Sequence, residues 1–248
     1  EKLGSSNIIT TFVAYITGTI GGPIISFFKK NGFSIAIGIL GFVFLFKIGE
    51  AFLGRMSILF YKEIGFSKSD IAFYSKGVGW ITTVVFTLLG GIFAMRSGSL
   101  KTMFFAGILM AATNLLFAFL NWYVQTIPLV SYEFQFWFMK WWYVETSNHQ
   151  LFFGATVALD DITSAFATVA FVAFISLLVD RTYTATQYAA LASIGTMGRT
   201  VLASSSGAVV DWLQGDWSTF FILTAIMVIP SLICLWFIRN NIKKIGEK

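Results

Sequence analysis

LFFGATVALDDITSAFATVAFVAFISLLV, residues 151–179, is the stretch that decides the fold. It is apolar throughout, apart from a few hydroxyls and the adjacent carboxylates Asp160 and Asp161. At ~1.5 Å per residue a helix of this length exceeds the ~30 Å of hydrocarbon in a bilayer. The run does not alternate apolar with polar residues, so it does not read as a barrel strand. Comparable runs lie outward from it. On the N-terminal side they cover about 34–61, 69–95 and 100–122, and on the C-terminal side about 186–213 and 217–238. The expected fold is all-α: a bundle of about six membrane-spanning helices over 34–239.

Composition supports lipid as the solvent. The 248 residues are 56% hydrophobic and only 12% charged, against about a quarter charged in soluble domains. Mean hydropathy is +0.77. A formal net charge of +5 would suggest nucleic acid in a soluble protein. Here the basic residues sit mainly at the ends of apolar runs, where they set topology, and no basic stripe is interleaved with stacking aromatics. The single cysteine, Cys234, lies in an apolar run and reads as a small buried hydrophobe. The start, EKLGSSN, has no initiator Met and no signal-peptide pattern, which suggests a piece of a longer chain.

The flanks read as follows. Residues 1–33 form a linker; within it NIITTFVAYITGTIGGPIISFFKK (7–30) is interrupted by Gly21, Gly22 and Pro23. It reads as an interfacial, partly helical segment, with a seventh span as the alternative. The loop at 124–150 carries Trp137, Trp141 and Trp142 among Tyr and Phe, a composition suited to the headgroup level. His149, in that loop, reads as solvated. Residues 240–248 form a short tail. Lys29, Lys30, Arg96, Lys101, Arg181, Arg239, Lys243 and Lys244 mark one set of helix ends, and Lys62, Lys68 and Lys140 the other. The richer set is expected to face the cytoplasm, putting both termini inside a multi-pass protein of the cell inner membrane.

Ionisable groups inside the spans are the functional candidates, because each costs roughly 2.5–3.5 kcal/mol at mid-membrane even on a lenient scale. They are Lys47, Glu50, Arg55, Lys76, Asp160, Asp161 and Arg199, with Asn114 as a neutral polar companion. Helix rise puts Lys47 and Arg199 ~20 Å from the inner ends of their helices, and Glu50 and Asp160 ~17 and ~14 Å from the outer ends. They share a level near the midplane, where membrane carriers build substrate and coupling-ion sites. Lys47 and Glu50, three apart on one face, read equally as a structural ion pair and as a pair that changes partners. Arg55, near an outer end, reads as snorkelling, and Lys76 can do the same. Asp160 and Asp161 point to different sides of their helix. In a low-dielectric setting at least one is expected to hold a proton near neutral pH; alternatively one of them neutralises Lys47, Lys76 or Arg199. No metal-ligand spacing, phosphate loop or nucleophile–base set is present, so an enzyme is not expected.

Longer stretches resemble one family. GGIFAMRSGSLK (90–101) resembles the short loop G-x-x-x-D-R-x-G-R-R of the major facilitator superfamily at Gly91, Arg96, Gly98 and Lys101. Met95 stands where that family has Asp, so the acidic part of the loop is not carried over. FKIGEAFLGRMSILFYKEIGFSKSDIAFYSKGVG (46–79) resembles the seventh and eighth helices of AmpG-type muropeptide permeases. The run from Gly154 to Ile194, with AFVAF followed by TATQYA, resembles their tenth and eleventh. The resemblance implies that this is the C-terminal half of a twelve-helix permease importing anhydromuropeptides. Transport would be driven by the proton gradient, with no cofactor and with an N-terminal half as partner. It points to Lys47, Glu50, Lys76, Gln187 and Tyr188; Gln187 and Tyr188 read equally as a helix-start cap and an interfacial belt residue. With the membrane argument, the expected substrate contacts are Lys47, Lys76, Asn114, Gln187, Tyr188 and Arg199. The proton carriers are Glu50, Asp160 or Asp161, and the gating loop is Gly91, Arg96, Gly98 and Lys101. Alternatives are a carrier of another solute, such as acetyl-CoA or a sugar, and a channel or non-transporting membrane subunit.

Overall fold

The computed structural model describes residues 17–135 and 143–246. The expected interfacial segment falls partly outside them, in residues 7–16. Its remainder is a π-helical turn at Thr17–Gly21 followed by α1 (Gly22–Asn31). Pro23 suits the first turn of that helix, where a missing N–H leaves nothing unpaired. Gly32, at φ 78°, ends it.

The first span is α2 (Phe33–Leu45) and α3 (Ile48–Glu63), parted at Phe46–Lys47. The second runs continuously through α4 (Lys68–Ala72), a π-helical turn at Phe73–Val78 and α5 (Gly79–Ser97). Then follow α6 (Ser99–Thr126) and α7 (Asn148–Leu178), both unbroken. The fifth segment is α8 (Thr184–Ala203) and α9 (Ser206–Trp212); the sixth is α10 (Trp217–Ile226) and α11 (Ile229–Gly246). Among the described residues, five of these segments are long and apolar enough to cross a membrane. The fifth, at 184–212, does not qualify. It is cut at Ser204–Ser205 and carries Gln187, Ser193, Thr196, Arg199 and Thr200 along its length. It nonetheless packs along α2 and α3 and completes the bundle. The chain is an all-α, multi-pass membrane protein, as the sequence indicates, and α11 carries the helix on to Gly246 through most of the expected tail.

Each interruption has a local cause or signature. Pro230 has no N–H to offer Ile226, which parts α10 from α11. The hydroxyls of Ser204 and Ser205 bond back to the carbonyls of Val201 and Leu202 at 2.6 and 2.7 Å, competing with the helix ladder. Lys47 has φ −98° and ψ 14°, outside the helical region.

The core divides into two apolar clusters. The one toward the α1 end holds Phe42, Phe46, Met103, Phe174 and Leu178; the one toward the opposite end holds Phe60, Phe117, Phe153, Trp217 and Phe221. Between them lies a thin polar layer that includes Glu50, Asn114, Ser164 and Thr224. Helix α7 is the spine, lying against both α5 and α6.

At the end away from α1 the helix starts are tied together. Ser67 with Asp70, and Ser147 with Gln150, form reciprocal capping boxes, and Gln150 Nε2 donates to Asp70 Oδ1 at 2.9 Å. Trp217 Nε1 donates to Glu63 Oε2 at 2.7 Å. The described parts of the loop expected over 124–150 hold regular structure. Helix α6 continues to Thr126, and β1 (Ser131–Gln135) pairs antiparallel with β2 (Tyr143–Ser147). The tryptophans Trp137, Trp141 and Trp142 lie outside the described residues. His149 is not solvated. It is buried in the first turn of α7, its Nε2 2.9 Å from Ile127 O and its ring against Tyr123, because the helix begins before it.

Gly49 sets how closely two helices approach, whereas Gly54 on the same helix does not. A methyl on Gly49 would come within 2.6 Å of Thr224 O and 3.0 Å of Val228. Gly54, one and a half turns on, has nothing within 4 Å of that position. Gly49→Ala is therefore expected to destabilise the bundle by roughly 1–3 kcal/mol through overpacking, whereas Gly54→Ala is not. Thermal unfolding of the two variants in detergent, compared with the parent, checks this.

Candidate functional site

The polar layer is built around the break in the first span. Lys47 Nζ lies 3.3 Å from Glu50 Oε2, an i,i+3 pair with both side chains about 13% exposed. It is the only ion pair among the described residues. Two hydroxyls of α7 hold it. Lys47 Nζ donates to Thr168 Oγ1 at 2.7 Å, and Ser164 Oγ donates to Glu50 Oε1 at 2.9 Å. Neither hydroxyl featured in the sequence reading. The signal was available: Asp160, Ser164 and Thr168 recur every fourth residue and so line one helix face.

Asp160 and Asp161 part as their adjacency requires. Asp160 faces Thr113 and lies within electrostatic range of Glu50. Asp161 turns toward Lys76 on the π-helical turn and toward Gly79, where an added Cβ would meet its carboxylate. Its Oδ2 is buried without a hydrogen-bond partner. Lys76 itself is exposed, as is Arg55.

Beside the ion pair is a cleft of about 180 Å³ lined by Lys47, Thr168, Phe171, Tyr188, Thr196 and Arg199. It brings together three of the expected substrate contacts from two different segments: Lys47 from the first span, Tyr188 and Arg199 from α8. Gly198 permits this approach of α8 to the first span, since a Cβ there would meet the Phe44 carbonyl. A cleft with an ammonium, a guanidinium and a phenol on its walls is suited to an anion that also presents hydrogen-bonding groups. A larger cavity of about 530 Å³ lies between α1, α2 and α8, but no charged side chain lines it.

Three expected contacts lie elsewhere, one of them the exposed Lys76 on the π-helical turn. Asn114 is buried beneath Gly49, its Nδ2 without a partner, and does not line the cleft. Gln187 is buried at the joint between α1 and the turn after α7, and both ends of its amide are engaged by backbone. Its Nε2 donates to Pro23 O at 2.8 Å and its Oε1 accepts from Asp180 N at 2.6 Å. The joint is reinforced by Ser26 Oγ donating to Asp180 Oδ2 and Lys30 Nζ donating to Val179 O, each at 2.8 Å. The Thr182 N–H and the Ser26 hydroxyl hold the Asp180 carboxyl below the usual carboxylate range. The residues of the expected gating loop stand at the turn between α5 and α6. Gly98, at φ 82°, makes that turn, Arg96 lies in the last turn of α5, and Lys101 is exposed in the first of α6. Close packing falls to Gly90 rather than Gly91. A Cβ on Gly90 would lie 3.1 Å from the Phe166 ring, whereas one on Gly91 makes only ordinary contact with Val169.

No family model matches the chain. It is similar to AmpG 4 of Rickettsia felis, 29% identical over 234 residues that cover 94% of this chain and 50% of that protein. AmpG 4 of Rickettsia conorii is 29% identical over 224 residues, covering 90% and 47%. The anhydromuropeptide permease of Escherichia coli K12 is 26% identical over 223 residues, covering 89% and 40%. The chain thus spans about half the length of the curated relatives it matches. These proteins are named as transporters and permeases rather than enzymes, in keeping with the resemblance drawn from residues 46–79 and 154–194.

The joint gives a direct test of the role of Gln187. Gln187→Ala leaves Pro23 O and Asp180 N without their partners, a loss of about 1–3 kcal/mol for each buried group. Trypsin cleavage after Lys29 or Lys30 in membrane vesicles is expected to speed up roughly tenfold or more. An unchanged rate would show that the amide does not hold α1 down.

Proposed function

We propose that this chain is the C-terminal half of a proton-driven permease that imports anhydromuropeptides across the cell inner membrane by alternating access. The observation that carries the reading is the cleft at mid-height with Lys47, Arg199 and Tyr188 on its walls. Such a site needs a ligand or water to be tolerable at that depth. Muropeptides carry carboxylates, and a relative named for them aligns over 89% of the chain. Lys47 and Arg199 would bind the anionic group of the substrate, while Tyr188 and Thr196 offer hydrogen bonds.

Glu50 is the leading proton carrier, because it competes directly with the substrate for Lys47. A proton on Glu50 would weaken the ion pair and free the ammonium for the cleft. Asp160, within range of Glu50, and Asp161, facing Lys76, are further carriers on the same helix. The N-terminal half would close the other side of the cleft, rocking against this bundle. The excess of Lys and Arg at the α1 end favours a cytoplasmic placement of that end, with both termini inside and the loop between α5 and α6 as a cytoplasmic gate.

Uptake of labelled anhydromuropeptide into proteoliposomes, with the full-length protein and an imposed pH gradient, tests the proposal. Acetyl-CoA and free sugars are run as competing substrates. Arg199→Gln is expected to raise KM about tenfold, the scale of one lost charge-assisted contact. Glu50→Gln is expected to lose gradient-driven accumulation while retaining exchange of substrate across the membrane. Unchanged gradient-driven uptake in Glu50→Gln would remove it from the coupling role, and no uptake by the parent would remove the substrate assignment.

A further inference from the structure

The two hydroxyls on α7 are not equivalent, and the difference follows from the backbone. Thr168 Oγ1 donates its own proton to Ser164 O at 2.8 Å, one turn back. Toward Lys47 it can only accept, which suits an ammonium at 2.7 Å. Ser164 Oγ has its oxygen 2.9 Å from Glu50 Oε1 and donates to it, which suits a carboxylate. Glu50 Oε2, the oxygen nearer Lys47, has no hydrogen bond at all. The ion pair is thus gripped from outside its own helix by one acceptor and one donor, each matched to the charge it meets. Moreover, Lys47 sits at the break between α2 and α3, where its backbone is not helical. Helix geometry alone therefore does not fix the direction of its side chain.

We propose that Thr168 and Ser164 are positioning residues of the carrier site: Thr168 aims the Lys47 ammonium into the cleft, and Ser164 holds Glu50 ready to receive a proton. This rests on the reading of the cleft as a substrate site. The charged and titratable groups around the pair from the elements packed against it are Asp160 on α7 and Tyr188 and Arg199 on α8. From α6 and α10 come only the neutral Thr113, Asn114 and Thr224. Helix α7 hydrogen-bonds to both members of the pair. Loss of either hydroxyl has its own signature, because each touches a different member.

The experiment uses the full-length protein in proteoliposomes and the variants Thr168→Val, Thr168→Ser and Ser164→Ala. Thr168→Val is expected to raise KM about tenfold with Vmax nearly unchanged, and Thr168→Ser to restore it, since serine keeps the acceptor. Ser164→Ala is expected to lower gradient-driven accumulation severalfold with KM unchanged, and to add nothing in a Glu50→Gln background. A second readout needs no substrate: the rate at which an amine reagent modifies Lys47, followed by mass spectrometry. That rate is expected to rise severalfold in Thr168→Val and stay at the parent's value in Thr168→Ser. If Thr168→Val only reduces the amount of folded protein, with KM and the Lys47 rate unchanged, the proposal falls. If the parent takes up no anhydromuropeptide while the Lys47 rate responds as expected, the substrate assignment fails and the positioning role stands.

Discussion

The arrangement depends on holding the Lys47–Glu50 ion pair inside a bundle whose surroundings are oil. Two ions in a low-dielectric medium are tolerable only if each is paired and its remaining hydrogen-bonding capacity is met. The pair meets part of that need itself, and α7 adds one hydrogen bond to each ion through Ser164 and Thr168. This explains why the apolar core is split. Aromatic packing around Phe42 and Phe174 fills the α1 half, and packing around Phe60 and Phe221 fills the other. Neither cluster can extend through the layer that holds the ions.

The same layer coincides with irregular backbone. The first and sixth segments are parted at Phe46–Lys47 and Met227–Val228, and they touch where Gly49 meets Thr224 and Val228. Helices α6 and α7 run past this level without a break. Interrupted helices inside a membrane need partners for the backbone groups they release, and local bonds such as Phe46 N to Phe42 O and Val228 N to Ala225 O meet part of that need here. The unbroken pair gives the frame against which the broken segments are placed.

Away from the middle, polar contacts serve to fasten ends. The joint of Gln187, Asp180, Ser26 and Lys30 secures α1 at one end, and the linked capping boxes of Ser67, Asp70, Ser147 and Gln150 secure helix starts at the other. Both sets sit where backbone groups would otherwise be unpaired. That is why Gln187, conspicuous in the sequence, turns out to serve the backbone rather than the cleft.

The order and approximate limits of most membrane segments were legible in the sequence, because length and apolarity mark a helix able to cross hydrocarbon; the segment at 184–212, expected as a span, falls short of that mark. So was the common level of Lys47, Glu50, Asp160 and Arg199, since helix rise converts residue number into depth. The opposed directions of Asp160 and Asp161 followed from the angle between neighbouring residues on a helix. The sequence could not show which faces meet. Placing Arg199 and Tyr188 across from Lys47, burying Asn114 under Gly49 and setting Ser164 and Thr168 on the ion pair all depend on how helices rotate and pack. The pairing of β1 with β2 and the burial of His149 against Ile127 and Tyr123 likewise depend on contacts that no single helix shows. Depth is a property of one helix read alone; contact belongs to pairs of helices, and only the tertiary structure decides it.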